Sequence, residues 1–401
     1  MSAETTGLTR QGLCDLFDIP FTDEQLDAVT TPHAPAVVIA GAGSGKTALM
    51  SARVVWLVSH GTVTPDQVLG LTFTNKAAVE LSTRVRKALR LLHGPDDPAA
   101  DGEPTISTYH AYAAALLREY GLWAGYEPAA QLLTDAQRVQ LAESVVRRAP
   151  GPFPALRLRL TTLTERLITL DGELNEHLVD LPALMAHDTA LIEELDALEV
   201  LGGKLTADPA KARDTARARL ELAPLVVEFR RAKAARERVD FGDQMAAAAL
   251  LSETVAEVSR GERERFATVL LDEYQDTSMA QQRLLVALFG AGHPVMAVGD
   301  PFQSIYGWRG ASVRNILTFD RDFADRHPAP IYALGQNNRS GGHILSAANI
   351  IAEPLRGRFP EVAKLRPQQI KADSGDVIVS GLGKVHAGSN DYGIIGERLS
   401  P

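Results

Sequence analysis

The run Ala40-Gly41-Ala42-Gly43-Ser44-Gly45-Lys46-Thr47-Ala48 has the residue types and spacing of a polyphosphate cradle. It meets the pattern G-x-x-x-x-G-K-[ST] except that Ala40 stands at the first glycine position. Glycines let successive backbone N–H groups curl around a phosphate without a side-chain clash. A helix opening at Lys46 adds the positive end of its dipole. Lys46 can reach the β- and γ-phosphates of a nucleotide, and the Thr47 hydroxyl can bind Mg²⁺. A second group of chemically capable residues lies far downstream, where Thr268-Val269-Leu270-Leu271 runs into Asp272-Glu273. Asp272 is placed to hold the Mg²⁺ shell, and Glu273 to orient and deprotonate an attacking water. A phosphate-loop kinase needs no such water base, so the acidic pair favours hydrolysis over transfer to a substrate hydroxyl.

Both groups need strands to deliver them. Ala36-Val37-Val38-Ile39 is a short apolar run ending in the glycine-rich turn, and residues 46–59 read as a helix. Residues 68–73 read as a second buried strand, with helical periodicity over 76–92, a short strand at 105–107 and a helix over 109–120. Strand, loop, helix, strand, helix is the grammar of a parallel α/β sheet, which binds ligands at the carboxyl ends of its strands. From about 134 to 238 the pattern is mostly helical and rich in Ala, Leu, Glu and Arg. Arg230, Arg231, Lys233, Arg236 and Arg238 cluster near its end and read as a solvated helix face. Strand signals return at 268–271, 295–298 and 331–334, a helix at 340–351 and a strand-like Val377-Ile378-Val379 near the end.

The 401 residues are 45% hydrophobic and 23% charged, an ordinary globular balance with enough apolar mass for a core. The net charge of −9 does not suggest a polyanion partner, yet phosphate contacts depend on local Lys and Arg rather than on net charge. The single cysteine, Cys14, excludes an intrachain disulfide and a Cys-rich zinc site. No apolar run approaches the roughly 20 residues that span a bilayer, and no secretory signal is evident. A cytoplasmic protein is the expectation.

The motifs together resemble those of UvrD/Rep-type superfamily 1 DNA helicases. Asp272-Glu273-Tyr274-Gln275-Asp276-Thr277-Ser278 resembles the second helicase motif. The run from Val298-Gly299-Asp300-Pro301-Phe302-Gln303 through Ser304-Ile305-Tyr306-Gly307-Trp308-Arg309-Gly310-Ala311 resembles the third almost letter for letter. Leu71-Thr72-Phe73-Thr74-Asn75-Lys76-Ala77-Ala78, Ser107-Thr108-Tyr109-His110 and Phe241-Gly242-Asp243 resemble shorter motifs in the same order, and the resemblance covers residues 21–349. It implies an ATP-dependent motor that works 3′–5′ on single-stranded DNA and duplex/single-strand junctions, in repair or recombination. Gln25 would read the adenine edge. Gln303 would sense the γ-phosphate, and Arg339 would act as an arginine finger. Phe73, Tyr306 and Trp308 would stack on bases, with Asn75, His110 and Arg309 along the same track. Stacking is sequence-tolerant and needs no basic surface, so an acidic chain could hold DNA this way.

The implied architecture is a RecA-like parallel sheet over residues 1–120 and 236–330, interrupted by a helical insertion over 121–235. An incomplete start of a second RecA-like domain is expected over 331–380, with an irregular tail over 381–401. The sequence departs from the family in two places. Asn338 stands where an aromatic residue usually stacks on adenine. The later motifs of the second motor domain are also not found in residues 350–401. The expectation is a truncated motor, or one whose second domain a partner supplies. A module that binds ATP and DNA without unwinding is the alternative reading.

Overall fold

The structure is a computed structural model that describes residues 7–93, 102–127, 129–151, 153–156, 159–200, 205–305, 307, 310 and 312–375, with 378–379 and 395–396. Its centre is a six-stranded sheet with every neighbouring pair parallel. In chain order the strands are β1 (Ala36–Ala40), β2 (Val68–Thr72), β3 (Thr105–Thr108), β4 (Gln131–Leu132), β5 (Arg238–Val239), β6 (Thr268–Leu271), β7 (Val295–Gly299) and β8 (Ile331–Leu334). The sheet order is β3-β2-β6-β7-β1-β8, while β4 and β5 form a separate two-residue ladder.

The central strands β1, β2, β6 and β7 are buried throughout because helices cover both faces. Val37, Ile39, Leu69, Leu71, Val269 and Leu271 feed one core, together with the helices Tyr109–Tyr120, Phe241–Thr254 and Met279–Phe289. Their neighbours Ala36, Val38, Ala40, Val68 and Leu270 feed the other, against the helices Lys46–Ser59 and Asn75–His93. The period of two along each strand is what divides the two cores.

The helices Asp135–Arg148, Leu160–Glu176, Leu181–Val200 and Ala207–Ala234 lie between β4 and β5. They bury a core of their own around Leu167, Ala223, Val226 and Phe229. The β4–β5 ladder closes this insertion at its root.

Two sequence readings change. β8 pairs with β1 in register Val37↔Ile331 through Ala40↔Leu334, so residues 331–334 complete the first sheet instead of starting a second domain. An apolar run reports burial, not which sheet it joins. Beyond it, Gln336–Asn337 pairs with Arg366–Pro367 in a small parallel ladder of its own. The basic cluster is not one solvated face either. Lys233 is buried at 3% exposure, and Arg230 turns inward to Asp171. The expected irregular tail at 381–401 lies outside the described residues, apart from Ile395–Gly396, which pairs with Ile378–Val379.

Candidate nucleotide site and single-strand track

The phosphate loop follows β1. Gly43 and Gly45 adopt φ of 72° and 87°, a left-handed backbone that other residues reach only with strain. The Ser44 hydroxyl donates to the Gly41 carbonyl at 2.7 Å and tightens the turn. The helix Lys46–Ser59 begins at Gly45 with no side-chain cap, so its first N–H groups face the loop's hollow.

β6 brings in the acids from the far side of β7. Asp272 is 7% exposed, and its carboxylate accepts the Glu273 N–H at 3.0 Å. Glu273 takes a left-handed φ of 48°, rare for a side-chain-bearing residue, and its carboxylate receives the Lys46 ammonium at 2.7 Å. Burial, reinforced by the Glu273 charge, pushes the Asp272 carboxyl up to about 6, and the same two causes push Asp276 up to about 6. One buried oxygen of Asp276 has no hydrogen-bond partner. Lys46 neutralises Glu273, and the carboxylates of Asp272 and Asp276 remain as hard oxygen donors, with Thr47 next to Lys46 in the chain. Such a donor set fits Mg²⁺.

Gln275 joins the acidic motif to the motif after β7. Its amide donates to Glu273 at 2.9 Å and to Asp276 at 3.1 Å, and its oxygen accepts the Asp300 N–H at 2.9 Å. A Cβ on Gly299 would fall 2.5 Å from that oxygen, so a larger residue there would have to displace the Gln275 amide. Gln303 donates to the Asp300 carboxylate at 2.5 Å, which ties it to the same network.

Gln25 is buried, and its amide donates to the Ser44 carbonyl at 2.8 Å while its oxygen caps its own helix through the Thr22 N–H. The segment after β8 lies over the loop. The Asn338 N–H donates to the Gly43 carbonyl at 2.8 Å, and the Asn337 amide donates to the Ala42 carbonyl. A Cβ on Gly43 would lie 2.8 Å from the Arg339 Cβ, so Arg339 begins directly above the loop.

The residues expected to form the track stand on the other half of the same edge. β2 ends into half-buried Phe73 and exposed Asn75, and its parallel neighbour β3 ends into His110. The Phe241 ring, 55% exposed, meets the His110 ring edge-on at 5.3 Å. Tyr306, Trp308 and Arg309 lie outside the described residues. The two halves touch through Tyr109, fully buried beside His110, whose hydroxyl donates to the Asp272 carbonyl at 3.1 Å. The sequence reading assigned no role to Tyr109, Gln275 or Asp300. Only their position inside otherwise assigned motifs could have drawn attention to them.

The glycine-rich loop with Lys46 thus stands at the end of β1 and the acids Asp272 and Glu273 at the end of β6, with the expected track residues after β2 and β3. The model of the UvrD/REP helicase N-terminal domain matches residues 21–324. The chain belongs to this family. It is 32% identical to the ATP-dependent DNA helicase PcrA of Leuconostoc citreum over 352 residues, which cover 88% of the chain and 41% of that protein. It is 30% identical to PcrA of Staphylococcus aureus over 84% of the chain and 40% of the relative. With DNA helicase II of Escherichia coli it shares 30% over 84% of the chain and 41% of the relative. The chain therefore spans about two fifths of the length of these relatives. Among the described residues no helix is long and apolar enough to cross a membrane.

Proposed function

We propose that this UvrD/REP-family chain is the ATP-hydrolysing motor part of a DNA helicase that grips single-stranded DNA at duplex/single-strand junctions, in repair or recombination. The observation that carries this reading is the joining of the Lys46–Glu273 pair to the track through the Tyr109–Asp272 bond. The loop N–H groups and Lys46 would bind the triphosphate, with Gln25 against the base. Mg²⁺, held by Thr47 and Asp272, would supply charge that neutralises the phosphate oxygens. Lys46 would turn from Glu273 to the phosphates, which frees the Glu273 carboxylate to take a proton from water. Gln275 and Gln303 would report the occupied state through Asp300, and Arg339 would approach from above the loop. Phe73, Asn75 and His110 would hold the strand, with Tyr306, Trp308 and Arg309 extending the grip.

ATP hydrolysis by the purified chain, with and without oligothymidylate and with Lys46→Ala as the blank, tests this proposal. Hydrolysis stimulated by the oligonucleotide and abolished in Lys46→Ala supports it. Nucleotide binding with no hydrolysis under either condition would sink it.

A further inference from the structure

Lys233 lies in the last turn of the long helix Ala207–Ala234 and is buried among three carboxylates from two other elements. Its ammonium lies 2.7 Å from Asp171, 3.0 Å from Asp240 and 2.7 Å from Asp243. An ammonium has three N–H donors, and here each finds one carboxylate. The oxygens of the three acids fall within 4.8 Å of one another, a grouping that could otherwise hold a metal ion. The chain supplies its own cation there. Burial alone would lower the Lys233 pKa, but Asp171, Asp243 and Asp240 outweigh it and raise it to about 12, so the charge persists at any working pH.

The partners bridge the insertion and the motor. Asp171 belongs to the insertion helix Leu160–Glu176. Asp240 is the N-cap of the motor helix Phe241–Thr254, and Asp243 is its third residue; each accepts the other's backbone N–H, at 3.0 and 2.9 Å. Arg230 donates to Asp171 at 2.6 Å and to Asn175 at 3.0 Å, and Asn175 donates on to Asp243 at 3.0 Å. Phe241 sits between the two capping aspartates, its ring against His110.

We propose that Lys233 is a positioning residue that locks the insertion to the first turn of the Phe241 helix and so sets the Phe241–His110 pair beside the single-strand track. This rests on the reading of His110 as a track residue. Movement of the insertion carries Asp171 and Lys233 with it, and the capped turn follows, because a desolvated ammonium cannot leave one carboxylate without losing a partner. The bonds of the joint reach no phosphate-loop residue, so its loss acts on DNA response rather than on hydrolysis itself.

The test compares the full chain with Lys233→Met and Asp171→Asn. The half-activating oligothymidylate concentration, the DNA-free hydrolysis rate and the His110 imidazole proton shift, which senses the ring current of Phe241, are measured for each. The half-activating concentration is expected to rise about tenfold, with DNA-free hydrolysis within about twofold and the His110 shift displaced. If Lys233→Met does not fold, Asp171→Asn carries the comparison, since it keeps a hydrogen-bonding amide and leaves the capping box intact. Folded variants with an unchanged His110 shift, or with an unchanged half-activating concentration, overturn the joint. An equal fall in DNA-free and stimulated rates overturns it too, since that is general damage. An unmodified chain with no DNA stimulation would count against the motor function, and the His110 shift would still decide the joint.

Discussion

The Lys46 ammonium rests on the Glu273 carboxylate at 2.7 Å, across 227 residues of sequence. Each group is thereby held by the other in the position from which it would serve a nucleotide. In the role proposed for Lys46, a triphosphate would exchange this pair for a Lys46–phosphate contact; in the structure the ammonium neutralises Glu273.

Replacing Glu273 by Gln separates the two roles. Hydrolysis should fall about 100-fold or more, the usual contribution of a positioned base. Nucleotide affinity should hold or rise, because Lys46 no longer has a charged partner to leave. Rates and fluorescent-nucleotide titrations on one preparation check this; a parallel loss of affinity would show that Glu273 mainly supports the loop.

Tyr109→Phe removes the hydroxyl bonded to the Asp272 carbonyl at 3.1 Å and changes little else in volume. A buried carbonyl left without this partner costs about 1–3 kcal/mol, readable in urea denaturation. The ratio of DNA-stimulated to DNA-free hydrolysis should drop as well. A ratio equal to that of the parent chain would mean the bond is structural only.

Asn338 offers no ring to stack on a base. Its side-chain oxygen accepts from Gln336 at 3.1 Å and from Gln368 at 2.9 Å. Asn338→Tyr gives up both bonds and adds an aromatic face, which should tighten ATP binding by about 0.5–1.5 kcal/mol. Equal affinities for the two chains would remove the idea that this position limits base binding.

His293 introduces a pH dependence at the amino ends of the strands. Burial, with Arg263 and His33 adding to it, lowers its pKa to about 4, and its Nε2 is buried without a partner. The folded form thus keeps the ring neutral, whereas the unfolded chain protonates near 6.5. The stabilising contribution is complete above about 6.5 and is lost as pH falls from there toward 4. The melting temperature should decline between pH 7 and 5, and His293→Gln should flatten that decline. An identical slope in the variant would assign the acid sensitivity elsewhere.

The phosphate loop and the acidic pair could be read from the sequence because their chemistry is local. A strand, a glycine turn and a helix start place backbone N–H groups within nine consecutive residues, and an apolar strand delivers Asp272 and Glu273 to its own end. The strands themselves were readable from period and composition, since those report burial. What only the tertiary structure decided is partnership. Ile331–Leu334 looks like any buried strand, and its pairing with β1 follows from the crossovers of the whole sheet. Lys233 and Arg231 are equal charges two residues apart, yet one is buried among three aspartates and the other pairs at the surface with Glu228. Tyr109 reaches the Asp272 carbonyl only because β3, β2 and β6 lie side by side. Charge and hydropathy are properties of one residue, whereas a hydrogen bond or an ion pair is a property of two, and the fold alone brings the second one near.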